Sequence, residues 1–214
     1  MYLPRHFAST DPAQAAALMR AHPLASLIST DEAGLPFVTH LPLHLRTDDD
    51  GGWTLLGHCA RGNPHGAYLR ERPRAVVTFL GPHAYLSPAV YPDLRRVPSW
   101  NYLAVHCTVQ AQLLEGEAAK DALLKTLIHD HEPEYAAQWR ALDAGFTAAM
   151  LSAITAFELK VLDWQCKLKL NQHRPESHAA MRGACAQGDA TAQLLGEWMD
   201  RLGLGGPANE GDGR

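Results

Sequence analysis

Aromatic and amide side chains enter a predicted strand together at Trp100, Asn101 and Tyr102. From Leu103 to Leu113 every second residue is apolar, and a period of two predicts a half-buried strand. We expect these three residues and His106 at the mouth and on the polar face of a sheet. Aromatic surface beside hydrogen-bonding groups suits a planar ligand with polar edges. An ordinary barrel rim is the alternative.

The segment from Gly57 to Pro64 leaves a predicted strand and enters a predicted helix. Such a junction offers unpaired backbone N–H groups, and Arg61 adds a forked donor, so a phosphate seat is predicted. It lacks the Gly-Lys-Ser/Thr ending of a Walker-type loop. A surface arginine that caps a turn is the alternative.

A third polar group follows Gly81-Pro82. Alternation places His83, Tyr85 and Ser87 on one side of a short predicted strand. Such side chains do not suit an apolar core, so we expect them to face a ligand or, alternatively, solvent at an edge strand.

The run from Lys167 to Arg174 holds two lysines and an arginine. Lys167, Lys169 and Asn171 share one face if the segment is extended. This face could close on an anionic cofactor, or its lysines could protect a solvated sheet edge from aggregation.

Several other functions are disfavoured. The chain has twelve histidines, but no His, Cys, Asp and Glu cluster has metal-ligand spacing, so no metal site is predicted. No serine lies in a nucleophile elbow, and Cys59 and Cys107 resemble small core residues.

Charge and cysteine usage limit the partners and the compartment. The 214 residues carry a net charge of −4, without a basic stripe or a readable helix-turn-helix, so direct DNA binding is doubtful. The four cysteines are far apart, with no CxxC pair, which favours a reducing compartment. No secretory signal and no apolar run of membrane-spanning length is visible, so a cytoplasmic protein with no membrane partner is predicted.

Predicted elements alternate between hairpin strands and late helices, which indicates a mainly β antiparallel barrel with peripheral helices. We expect a barrel domain over 1–174, helices packed on it over 175–202, and a disordered tail over 203–214. The predicted helices are 11–22, 64–72, 117–130, 145–152 and 175–202, the last broken near Gly188, and the predicted strands are 25–30, 35–45, 53–59, 74–80, 83–87, 102–114 and 155–163.

Five collinear blocks resemble the PaiB-like family of FMN-binding negative transcriptional regulators. The similarity spans about residues 1–178, and the blocks are Met1–Phe7, Gly57–Pro64, Gly81–Pro88, Val97–His106 and Lys167–Pro175. The resemblance implies an FMN-binding split β-barrel like that of pyridoxamine-phosphate oxidase and the flavin reductases. It also implies a homodimer with FMN in a cleft between protomers.

The resemblance also implies roles for particular residues. The junction after the third strand would hold the FMN phosphate, and the strand at 83–88 with the Trp100 segment would border the isoalloxazine ring. The last block would approach the phosphate or the ring, from the same protomer or from the second one. The implied cofactor-binding residues are His58, Arg61, Asn63, His83, Tyr85, Ser87, Trp100, Asn101, Tyr102, Lys167, Lys169, Gln172 and Arg174. Among these, Arg61 and Lys169 are expected to anchor the phosphate, and Trp100 to shape the ring site.

The chain departs from the family pattern in two places. Its last block reads Cys-Lys-Leu-Lys-Leu-Asn-Gln-His-Arg where the family usually has Gly-Lys-Phe-Lys-Leu-Ser-Gln-Asn-Arg. The glycine that often follows the Val-His pair is absent. The charged residues survive, so the ring pocket is more affected than phosphate binding.

Three functions remain open on the sequence. The first is a flavin-dependent regulator or sensor without turnover. The second is an FMN-dependent oxidoreductase or flavin reductase that acts on a small substrate, although no nicotinamide motif is readable. The third is a flavin-free interaction module or a haem binder.

Overall fold

A computed structural model describes residues 1–93 and 95–204. Its strands form an antiparallel sheet in the order β3-β2-β6-β7-β8-β5-β4, with the short β1 paired to β8. The strands are β1 Ala8–Ser9, β2 Leu24–Thr30, β3 Pro36–Pro42, β4 His44–Thr47, β5 Trp53–Ala60, β6 Arg74–Leu86, β7 Ser99–Leu114 and β8 Ile154–Lys169. The expectation of a mainly β fold with peripheral helices is confirmed.

The helices occupy the positions that the sequence pattern predicts, with one addition. They are α1 Pro12–Ala21, α2 His65–Glu71, α3 Glu117–His131, α4 Ala136–Ala141, α5 Ala144–Ser152, α6 His178–Ala186 and α7 Ala190–Arg201. Single 3₁₀ turns lie at Arg5–Phe7, Pro88–Val90, Pro133–Tyr135 and Pro175–Ser177. The additional helix is α4, whose buried Trp139 donates its indole N–H to Asp121 Oδ1 at 2.9 Å.

The chain divides into two units, each made of separate stretches of sequence. The first unit contains Met1–Leu18, Leu80–Val105 and the chain from Gln165 onward. The second contains Met19–Phe79 and His106–Trp164. The predicted domain boundaries at 174 and 202 stay a prediction, and most of the predicted tail, from residue 205, lies outside the described residues.

Two strand predictions are corrected by the structure. The predicted strand from Leu35 to Leu45 is two strands, β3 and β4, that meet at Leu43. Pro42 has no N–H to continue a ladder, and the N–H of Leu43 donates instead to the Pro23 carbonyl at 2.9 Å.

The second correction joins two predicted strands into one. The segments on either side of Gly81-Pro82 form the single strand β6. A Cβ at Gly81 would lie 2.5 Å from Leu18 Cδ1 and 3.2 Å from Leu103 Cβ. Glycine is therefore required there for close packing in the first unit, rather than for a turn.

Candidate functional site

The cationic cluster of the first unit consists of Lys167, Lys169 and Tyr102. The two ammonium groups lie 5.1 Å and 5.8 Å from the centre of the Tyr102 ring. Lys167 is only 7% exposed and donates to the Tyr2 carbonyl at 3.1 Å, while Lys169 donates to Ser99 Oγ at 2.7 Å. Within the described residues neither lysine takes part in an ion pair. Two neighbouring ammonium groups without a carboxylate favour an anionic ligand.

Strand geometry explains why both lysines reach the same side. They are two residues apart on β8, so their side chains share one face. Cys166 and Leu168, which alternate with the lysines along the strand, are buried and point to the other face. Burial lowers the pKa of Lys169, Tyr102 opposes that change, and the charge of Lys167 adds to it. A bound anion would offset both the desolvation of the Lys169 charge and its repulsion by Lys167.

An aromatic trio, His83, Tyr85 and Trp100, lies on neighbouring strands of the same unit. The Trp100 ring centre is 6.0 Å from that of His83 and 6.1 Å from that of Tyr85, the latter edge to face. Trp100 is 53% exposed, so its ring can receive a planar partner. The expectation that His83 and Tyr85 avoid the core is confirmed, since both residues are exposed.

Ser87 and Asn101 have roles that the sequence did not predict. The hydroxyl of Ser87 accepts from the N–H of Ala89 and so begins the following 3₁₀ turn. Asn101 was expected on the polar face of the sheet, and that expectation is wrong. It has the same parity as Leu103 and Val105, and it is only 3% exposed.

The last block turns away from the strand after Lys169. Asn171 has a φ of 59°, so the expected extended face that would include it does not form. Gln172 donates from Nε2 to the Leu168 carbonyl and accepts the N–H of Leu170, which commits its amide to the turn. The guanidinium of Arg174 lies 3.8 Å from Glu176.

The junction between β5 and α2 belongs to the second unit and carries His58, Arg61 and Asn63. Asn63 Nδ2 donates to Thr39 Oγ1 at 3.1 Å, and its Oδ1 accepts the N–H of His65 at 3.0 Å. The Asn63 side chain therefore positions the start of α2, with both polar atoms already paired.

Arg61 is exposed, but it is tethered to the end of α5. Its backbone N–H donates to the Ala153 carbonyl at 2.8 Å, and its guanidinium donates to the Ser152 carbonyl at 3.3 Å. Burial lowers the pKa of the half-buried His58, whose Nδ1 has no hydrogen-bond partner among the described residues.

His65 is a buried polar residue that sequence reasoning missed. Its side chain is fully buried, its Nδ1 lies 2.8 Å from Thr39 Oγ1, and burial lowers its pKa from 6.5 to about 4. Phe37 packs edge to face against it at 5.2 Å. The only signal was its place on the inward side of a short helix, which does not distinguish a buried histidine from an exposed one.

The chain matches, over residues 1–163, the family described as "Putative FMN-binding domain". The chain belongs to this FMN-binding domain family. The family and cofactor expected from the sequence are therefore confirmed. In the first unit, the lysines of the cationic cluster have no carboxylate partner among the described residues. Together with the exposed aromatic trio they fit a cofactor that carries both a phosphate and a planar ring.

Two relatives align with this chain over most of their own length. "Protease synthase and sporulation protein PAI 2" of Bacillus subtilis is 32% identical over 178 residues, which cover 83% of this chain and 84% of that protein. "Uncharacterized protein YKL070W" of Saccharomyces cerevisiae is 27% identical over 157 residues, which cover 63% of this chain and 91% of that protein.

Solved structures support the fold. An FAD and haem binding protein from Mycobacterium smegmatis aligns with a TM-score of 0.61 at 21% identity, over 76% of this chain and 73% of that one. The flavocytochrome Anf3 from Azotobacter vinelandii aligns with a TM-score of 0.59 at 20% identity, over 78% and 72%. The expected split β-barrel class is confirmed.

The described residues offer neither a metal site of acidic, histidine or cysteine ligands nor a membrane-spanning helix. Among the described residues no three His, Cys, Asp or Glu side chains are grouped to hold a metal ion. No helix in the described part of the chain has the length and apolar character needed to cross a bilayer.

Proposed function

We propose that this chain binds FMN through the first unit and acts as a flavin-dependent regulator or sensor. The observation that carries the flavin assignment is the cationic cluster. Lys167 is buried and Lys169 partly buried, yet no described carboxylate neutralises them. A phosphate dianion would supply that charge and accept the N–H donors that the two lysines still have available.

The aromatic trio supports the other half of the ligand. FMN, when bound, supplies a planar ring system that accepts and donates electrons. The chain's own part is to bind and orient this ring, and Trp100, which is 53% exposed, offers an aromatic surface for it. Trp100 and Tyr102 both lie on β7, and the Tyr102 ring contacts both lysines of β8, so the proposed ring and phosphate contacts lie on two neighbouring strands.

Arg61 is a second candidate for phosphate binding, in the other unit. It is exposed, and only part of its five-donor guanidinium is engaged by Ser152. His58 and Asn63 belong to the same proposal, although Asn63 would contribute through the backbone it holds, because its amide is already paired.

The regulatory part of the proposal is supported by the Bacillus relative, which is named a "protease synthase and sporulation protein". Direct DNA binding by this chain is not part of the proposal, because the net charge is −4. We place the protein in a reducing, cytoplasmic compartment. This agrees with four buried cysteines that form no disulfide, at Cys59, Cys107, Cys166 and Cys185.

Absorption spectroscopy of the purified protein tests this function directly. We expect flavin bands close to those of free FMN and no Soret band, with no oxidation of NADH or NADPH beyond that given by the same concentration of free FMN. A Soret band would favour a haem binder instead. Rapid flavin-dependent oxidation of a nicotinamide would favour the alternative function, an FMN-dependent oxidoreductase.

We further propose that the chain forms a homodimer through one sheet face of the second unit. Ile28 of β2 pairs in register with Val38 of β3 on one side and with Val76 of β6 on the other. Val38 and Val76 are 46% and 38% exposed, so an apolar row crosses three strands at the surface. A second copy that packs on this row would bury it within a larger interface, since obligate dimers bury on the order of 2,000 Å² or more in total.

Light scattering at micromolar concentration tests the dimer. We expect twice the 23.4 kDa chain mass for the native protein and the chain mass for Val38→Glu or Val76→Glu. Phe146→Glu, at an exposed position on α5, is the matched control and should leave the mass unchanged. A native monomer, or a dimer that survives both valine changes, would contradict the proposal.

A further inference from the structure

A cavity of about 330 Å³ lies within the first unit, between two strands and the last two helices. The strand side is formed by the ends of β6 and β7, and the helix side by α6 and α7. Both helices follow residue 163, where the match to the FMN-binding domain ends. The helical wall is therefore a feature that the family match does not account for.

Asn101 is the buried polar group of this cavity. It lines the cavity and is 97% buried, and its Oδ1 has no hydrogen-bond partner among the described residues. Its Nδ2 contacts only a weak acceptor, Met181 Sδ, at 3.7 Å. If the amide were turned over, its oxygen would face the Met181 thioether, which has no hydrogen to donate, so the oxygen would still lack a donor. A buried amide with an unused oxygen favours a ligand that donates a hydrogen bond.

The rest of the lining defines what such a ligand looks like. The helix side is apolar and rich in sulfur, because it is formed by the buried residues Met181, Cys185 and Leu195. Asp189, at the start of α7, supplies the lining's acidic side chain, and no lysine or arginine lies among the lining residues. The cavity thus combines an apolar wall with an unused hydrogen-bond acceptor, Asn101 Oδ1, and the Asp189 carboxylate.

We infer that this cavity binds a small amine with an apolar or aromatic body. The body packs against the helix side, and its N–H groups donate to Asn101 Oδ1 and to the Asp189 carboxylate. Trp100 and Tyr85 at the strand side add aromatic faces that attract a cation. This inference goes beyond the proposed flavin function. The cavity shares His83, Tyr85 and Trp100 with the ring site proposed above but includes neither lysine of the cationic cluster, so the amine is expected beside the flavin ring and not at its phosphate.

Calorimetric titration with three isosteric probes tests the chemistry. We expect 2-phenylethylamine to bind to the full-length protein, 2-phenylethanol to bind more weakly, and phenylacetate to bind least, because its charge repels Asp189. Equal binding of phenylacetate and phenylethylamine, or no binding of the amine at millimolar concentration, would overturn the inference.

Matched variants locate the binding site. Asn101→Leu removes the acceptor at nearly constant volume, and we expect it to weaken amine binding about ten-fold. Asp189→Asn removes the charge but retains a residue that caps α7, so about a three-fold loss is expected at an exposed site. Glu197→Gln, an exposed carboxylate on the same helix, is the control and should change nothing.

Flavin titrations of the same variants separate this inference from the flavin proposal. We expect Asn101→Leu to lose more affinity for the amine than for FMN. If it loses FMN and not the amine, the cavity holds the flavin ring, and the amine site is wrong while the flavin function stands. Should Asn101→Leu fail to fold, Ala184→Trp, at an exposed helical position of the lining, is expected to fill the cavity and abolish amine binding. Retained amine binding in that variant would overturn the inference.

Discussion

The cationic cluster of the first unit and the β5–α2 junction of the second both carry the residue types expected of a phosphate site, but they use them differently. At the junction, both polar atoms of Asn63 and Nδ1 of His65 are paired through Thr39 and the start of α2. The atoms left without a partner among the described residues, His65 Nε2 and His58 Nδ1, belong to imidazoles whose pKa is lowered by burial. In the cluster, Lys167 and Lys169 lack any carboxylate partner among the described residues. Unsatisfied charge, rather than residue type, therefore distinguishes a candidate binding site from a structural polar network.

The same contrast predicts whether substitutions in each region change the stability of the fold or the affinity for the ligand. Changes at the junction should appear mainly in stability, because its polar groups hold local structure. Changes in the cluster should appear mainly in ligand affinity, because its charges are available. Arg61 lies between these cases, since it is tethered to Ser152 and yet exposed.

The largest expected effect is acid destabilisation through His65. Its pKa is lowered to about 4 in the folded protein, so the unfolded chain takes up the proton first as pH falls. Its contribution is fully present above pH 6.5 and is lost as pH falls through about 4, at a total cost of about 3 kcal/mol. Urea unfolding across this window should show the loss in the native protein.

The matched variant for this prediction is His65→Asn. It keeps an amide near the position of Nδ1 but cannot titrate, so its stability should fall less steeply between pH 6.5 and pH 4. Parallel curves for the two proteins would show that His65 does not act as a buried neutral base.

Loss of a cluster lysine should produce the largest effect on cofactor affinity. Lys169→Met should weaken FMN binding by about 10- to 150-fold, because a charge-assisted hydrogen bond contributes roughly 1.5–3 kcal/mol. Riboflavin, which lacks the phosphate, should be affected far less. Fluorescence titration of both flavins checks this, with Lys160→Met, an exposed lysine on the same strand, as the control.

Arg61→Ala should weaken FMN binding by about ten-fold, at the lower end of that range, because the side chain is exposed and partly engaged by Ser152. Again riboflavin should be spared. Arg70→Ala, another exposed arginine of the second unit, should have no effect. If Arg61→Ala loses affinity for both flavins equally, Arg61 only supports the fold, and the junction is structural throughout.

The smallest expected change is at Trp100. Its contact would be with the ring system that FMN and riboflavin share, so Trp100→Ala should weaken both alike, by about 2- to 10-fold. The same fluorescence titrations give the ratio of the two losses. A loss confined to FMN would place the phosphate, rather than the ring, beside Trp100.

Periodicity and turn chemistry were enough to predict most of the fold. The helix that begins at Pro12 follows from Asp11, whose carboxylate accepts the N–H of Ala13. The hairpin turn at Gly34 follows from a residue that tolerates its φ of 80°. Both signals are local, and local signals can be read from a single sequence.

Tertiary contacts decided what the sequence did not predict. Asn101 resembles a surface residue by type but follows the parity of its apolar neighbours. The break at Leu43 depends on a hydrogen bond to distant Pro23, and α4 depends on a tryptophan that reaches Asp121. The lysine pair was predicted by type, whereas its lack of carboxylate partners could only be seen in the structure.

The left-handed residue that follows β8 explains one departure from the family pattern. Asn171, with its φ of 59°, occupies the position where the usual block has serine. Asparagine adopts this backbone region more readily than most residues, and its amide donates to the Tyr91 hydroxyl while its carbonyl accepts from His178 Nε2. Valine, isoleucine and threonine, whose branched Cβ is strained at this φ, should therefore be excluded from this position in any descendant that keeps the same turn.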